Sequence, residues 1–140
     1  MLRNVTLLPF GTNKKGICIN KNDLHALKSN YYGALDHPNT FDVSMLNVSH
    51  TISNIYSDNL SLYGDIKILD TSKGQILNHL VDDDLVVFRP RMSIDSNGHI
   101  TIFAFDAITK DKDIYIDVLK ERYKKIKKLH GRLSKKHRIE

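Results

Sequence analysis

The chain has 140 residues, 41% of them hydrophobic and 26% charged, with a formal net charge of +5. That is enough for one domain with one core, and the balance excludes a wholly disordered chain or a fibre. No run reaches the roughly 18 apolar residues of a membrane-spanning helix, and a single cysteine, Cys18, excludes an internal disulfide framework and a cysteine-rich zinc site.

Val5–Phe10 reads as a short strand. Thr6 and Pro9 interrupt its apolar run and no small-residue cleavage site follows, so it is not read as a signal peptide. A turn at Gly11–Gly16 leads to a brief apolar stretch, Ile17–Ile19. Asn20 is placed to cap a short helix over about 21–29, with Leu24 and Leu27 on one face. Pro38 keeps His37 out of helical geometry, at a strand end or in a loop. Val48–Tyr56 and Leu60–Leu69 read as an antiparallel hairpin, the second strand alternating through Leu62, Gly64, Ile66 and Ile68. Ser72 and Gln75 have capping-box spacing for a helix with its apolar stripe at Ile76, Leu77, Leu80 and Val81. Leu85–Phe88 is β-prone, and Pro90 makes that strand end, bulge or lie at an edge. Asp95–Gly98 is a turn, and His99–Ile108 is a strand with Ile100, Ile102, Ala104 and Asp106 on one face. From about Ile114 to Ser134 the period becomes helical, through Leu119, Tyr123, Ile126, Leu129 and Leu133.

The charge is concentrated at one end. Residues 111–140 carry eleven Lys/Arg against five Asp/Glu, whereas residues 1–110 carry ten against eleven. We therefore expect a β-rich domain over 1–110 and a basic helix and tail over 111–140. The clusters Lys124, Lys125, Lys127, Lys128, Lys135 and Lys136 are candidate contacts to nucleic acid or an acidic surface. Arg89 and Arg91 flank Pro90 on one side of their strand, either as a solvated edge or as a contact to a carboxylate, phosphate or partner strand. His37 is either a turn histidine or a general base. Asp106 is either a strand-end carboxylate or a buried one that needs a partner. The spacings of His37, His50, His79 and His99 match no zinc motif. Asp82–Asp84 reads as a helix-end loop. No metal and no cofactor is expected.

Several segments, taken in order, resemble the prohead (capsid maturation) proteases of tailed phages. They are Asn13-Lys14-Lys15-Gly16, Gly33-Ala34-Leu35-Asp36-His37-Pro38, Val48-Ser49-His50 with Ile52, Tyr63–Thr71 with Gly74, Ile76 and Leu77, and Phe105–Ile108. The resemblance implies a small mixed or antiparallel β-barrel of about six strands, α+β in class, with two short helices besides the basic one. It implies His37 as the base and Asp106 as its orienting acid, with His50 as a further polar candidate. In the place of that family's nucleophilic serine this chain has Phe88, Arg89 or Pro90, none of which can attack a peptide carbonyl. Ser93 is the nearest displaced candidate. The reading is a non-enzymatic virion or assembly protein on a protease-like domain, holding a phage structural or scaffold protein or a second copy, in the virion or host cytoplasm. An active serine endopeptidase and a basic nucleic-acid-binding protein are the alternatives.

Overall fold

The computed structural model describes the backbone of residues 1–139 and the side-chain surroundings of residues 1–127. Among these residues the strands are β1 (Leu2–Pro9), β2 (Gly11–Thr12), β3 (Cys18–Ile19), β4 (Tyr31–Ala34), β5 (Val48–Ser57), β6 (Ser61–Ile68), β7 (Val86–Ile94) and β8 (Ile100–Thr109). The helices are α1 (Ser72–Asp82) and α2 (Ile116–Ile139).

β1, β6, β5 and β4 form one sheet in that order, antiparallel throughout. Two asparagines in left-handed geometry, Asn4 and Asn54, mark irregularities in its ladders, a conformation asparagine tolerates better than branched residues. Asp65 on the central strand ties both down, accepting from the Asn4 backbone N–H at 3.0 Å and from Asn54 Nδ2 at 2.9 Å. The tight β7–β8 hairpin packs across this sheet. Leu7, Ile52, Leu62 and Ile66 from the sheet meet Phe88, Ile100, Ile102 and Phe105 from the hairpin in a single core, closed at one side by Leu77 of α1. Their burial is the main force holding the two layers together.

The α+β, β-rich class holds, but several expectations change. The ladders do not close into a barrel. β4 has only four residues before the chain turns at Asp36, whose φ is 61°, so it meets β8 through one parallel bridge, Leu35 to Ala107. Across the other seam the Arg89 guanidinium donates to the Thr6 carbonyl of β1 at 3.0 Å. The helix expected over 21–29 shrinks to a 3₁₀ turn, Lys21–Asp23. Leu24 leaves it to bridge Ile100, and Ala26 takes a positive φ that no helix continues through. The cap of α1 is Thr71, one residue before Ser72: its hydroxyl accepts from the Gly74 N–H at 3.0 Å and donates to the Val48 carbonyl. Ile76 faces solvent, leaving Gly74 and Leu77 as the buried face of α1. β7 continues through Pro90 as an edge strand that pairs with β8 alone, one of the expected alternatives, and its register with β8 shifts between Arg91 and Met92.

Candidate functional site

Asp106 lies on β8 directly opposite Arg89 of β7, and its side chain is fully buried. Desolvation by itself would make the ionised form costly. Four donors converge on it: Arg91 Nε at 2.8 Å, Arg91 Nη2 at 2.6 Å, His37 Nδ1 at 2.8 Å and the Ala34 N–H at 3.0 Å. Burial pushes the carboxyl up, but the bonds from Arg91, His37 and Ala34 outweigh it and hold Asp106 below the usual carboxylate range.

His37 is delivered by the end of β4. After the Leu35 bridge, the Asp36 N–H donates to the Ala107 carbonyl at 2.8 Å, and the left-handed turn at Asp36 drops the imidazole onto Asp106. Carboxylate oxygens only accept, so in the neutral ring Nδ1 carries the proton and Nε2 carries the lone pair. The ring is partly exposed and lines a cleft of about 440 Å³. The cleft runs along the edge of β7 and is walled by Pro38, Phe41, Pro90, Met92, Ile114 and Tyr115. Its charged lining is entirely basic, from Lys15, Arg89, Arg91 and Lys112, with His37 beside them.

A base oriented by a carboxylate is two-thirds of a nucleophilic triad. The third member is not beside it: among the described residues no hydroxyl or thiol hydrogen-bonds to His37. Only two hydroxyl side chains line the cleft. Thr40 donates its own to the Asp42 carbonyl at 3.1 Å, and burial pushes the Tyr115 phenol up, away from ionisation. Ser93, the displaced candidate, pairs with Thr101, five residues along β8 from Asp106. At the rise of a strand that is roughly 16 Å. The expectation of Ser93 as a nucleophile is therefore corrected, because it sits at the far end of the hairpin.

Arg89 and Arg91 do point to one side of β7, but that side is the interior. Arg91 is held by Asp106 and by the carbonyls of Thr40 and Asp42. Arg89 makes a two-pronged pair with buried Asp113, 2.9 Å on each arm, and lies over the Tyr115 ring. Neither guanidinium is a loose contact for a partner, which corrects that expectation. Both are structural ties whose edges happen to reach the cleft. The signal for this was available in the sequence: a carboxylate within an apolar strand needs a cation, and two arginines stand on the preceding strand.

His50 is also drawn inward. It is fully buried, with Nε2 donating to the Phe105 carbonyl at 2.7 Å and Nδ1 accepting from the Ser49 hydroxyl at 2.7 Å. Desolvation lowers its pKa to about 4, against the smaller opposing effects of the Phe105 carbonyl and the Asp106 charge, so the ring is neutral near pH 7. It bolts β5 to β8 and takes no part in the cleft. Lys124, Lys125 and Lys127 lie exposed on α2. Lys128, Lys135 and Lys136 lie outside the residues whose side chains are described. Among the described residues no cluster of side chains is arranged to hold a metal ion, and no helix is long and apolar enough to cross a membrane.

No family model matches the chain, and no curated protein matches it by sequence. Among solved structures the chain is similar to the capsid assembly protease of bacteriophage T4, with 15% identity and a TM-score of 0.43. That similarity covers 56% of this chain and 56% of the T4 protein.

Proposed function

We propose that this chain is a phage capsid-assembly component on a protease-like domain that keeps a base and its orienting carboxylate but has no nucleophile. One observation carries the reading. Arg91 grips both oxygens of Asp106 beside His37, while the residues of β7 paired with Ala107, Asp106 and Phe105 are Phe88, Arg89 and Pro90. The segment Gly33–Pro38, which resembles the prohead proteases, supplies His37 and the Ala34 N–H to the same site. A cleft of this shape along an edge strand suits an extended peptide added beside β7, which requires backbone groups and no nucleophile. A phage structural or scaffold protein would supply that peptide, in the virion or the host cytoplasm.

The test is to incubate the purified chain with a fluorophosphonate probe and with a fluorogenic peptide library, alongside His37→Ala. Neither labelling nor cleavage above the His37→Ala background is expected. Labelling of any serine that His37→Ala abolishes would overturn the reading and establish an active endopeptidase.

A further inference from the structure

The cleft leaves α2 unexplained. Its first turns are fixed to the domain: Val118 packs against Gly11, and the Arg122 guanidinium donates to the carbonyls of Phe10 and Leu60 and to the Ser61 hydroxyl. Beyond that anchor the described side chains are exposed, with Lys125 still lining a shallow cavity beside Phe10, Gly11 and Thr12. Tyr123 is 67% exposed and Ile126 55% exposed, and Lys124, Lys125 and Lys127 are exposed around them. In the sequence the apolar positions run on through Leu129 and Leu133, while Lys120–Arg138 holds ten Lys/Arg against one acid, Glu121. Like charges recur four apart along Lys120, Lys124, Lys128, Arg132 and Lys136, and each such pair works against an isolated helix. Among the described residues the one ion pair within α2 is Lys124 with Glu121, at 3.7 Å.

We propose that α2 is a docking helix for an acidic amphipathic helix of a partner protein. The stripe would be buried against the partner's apolar face, and the lysines would pair with its acids. Helix pairing needs these two features together, an apolar seam flanked by charge of one sign facing charge of the other. A second copy of this chain would bring cations against cations. A phosphate backbone would neutralise the lysines but leave Tyr123 and Ile126 in water. This inference uses a surface separate from the His37 cleft and stands or falls independently of the reading of that cleft.

The test uses the full chain and four probes, with binding followed by anisotropy and helicity by circular dichroism. The probes are a synthetic peptide with Leu on one helical face and Glu on the other, the same peptide with Ser replacing Leu, duplex DNA, and phosphatidylcholine–phosphatidylserine vesicles. The Leu/Glu peptide is expected to bind and gain helix, with the Ser/Glu version about tenfold weaker or worse. Ile126→Ser and the double variant Lys124→Glu/Lys125→Glu should each weaken the Leu/Glu peptide about tenfold or more. Both alter exposed positions, and an unchanged melting temperature checks that the fold survives. The proposal would be overturned by DNA or vesicles bound more tightly than the peptide, by Ile126→Ser without effect, or by no binding to the Leu/Glu peptide. Concentration-dependent self-association through α2 would overturn it in favour of a second copy.

Discussion

Asp106 has two side-chain donors of unequal weight, Arg91 and His37. Arg91 is buried and holds both carboxylate oxygens, whereas His37 is 40% exposed and holds one. Removing one partner of a buried pair strands the other charge, at a cost of about 3–5 kcal/mol. Arg91→Met is therefore expected to lower stability by that amount in urea melts, while His37→Ala lowers it by about 1 kcal/mol or less. The reverse ranking would mean that the histidine, not the arginine, is the carboxylate's main support. His50 makes stability depend on pH. Its folded-state pKa, about 4, lies below the ordinary 6.5, so the unfolded chain takes up the proton first as pH falls. The contribution is complete above about pH 6.5 and drains away down to about pH 4, about 3 kcal/mol in all, with no further loss from this group below that. Asp106, with its carboxyl held low, adds a later loss that is complete only once pH falls through its depressed folded-state value. In His50→Gln the slope of stability between about pH 6.5 and pH 4 should flatten, from a lower starting value. A slope equal to that of the natural chain would place the titrating group elsewhere.

Among the elements, β4 shows how a short strand acquires a fixed position. A Cβ on Gly33 would stand 1.9 Å from the Phe105 carbonyl oxygen and 2.1 Å from His50 Nε2. The first of these is backbone and cannot swing aside. Gly33→Ala is expected to cost about 3 kcal/mol or more and to loosen His37, as amide exchange at Ala34 and Asp36 would report. Gly16 has nothing within 4 Å of the equivalent position and only a positive φ to lose, so Gly16→Ala should cost about 1 kcal/mol. Strand alternation made β5, β6 and β8 legible in the sequence, because each has one face against the core. The end of β4 was harder to read, since Tyr31–Ala34 is too short to show a period. The helix over 21–29 was misplaced because Leu24 has a long-range partner, Ile100, that no local pattern reveals. At the site, His37 and Asp106 were legible as a pair only through resemblance, being 69 residues apart. For the two arginines the sequence left open a solvated edge or a contact to a carboxylate, phosphate or partner strand, and two aspartates, Asp106 and Asp113, pull them inward.

For the whole molecule, the uneven charge separates two jobs. The near-neutral part builds most of the layered core, and the cations of α2 run from Lys120 through its anchor to the domain at Arg122 and on beyond it. The core layers are themselves joined in an order set by the chain. The four-stranded sheet is complete at Ile68, before any of the hairpin has been synthesised. The β7–β8 pairing is local, whereas the ties that dock it reach back 69 residues from Asp106 to His37, 72 to Ala34, and 83 from Arg89 to Thr6. Such distant closures come late, after both parts have their shape. Until the hairpin arrives, His50 and the groove above Gly33 lack the cover that Phe88 and the Phe105 carbonyl give them in the folded chain. Until that joint closes, the uncovered face of the four-stranded sheet is the apolar surface that a chaperone or a neighbouring chain would meet.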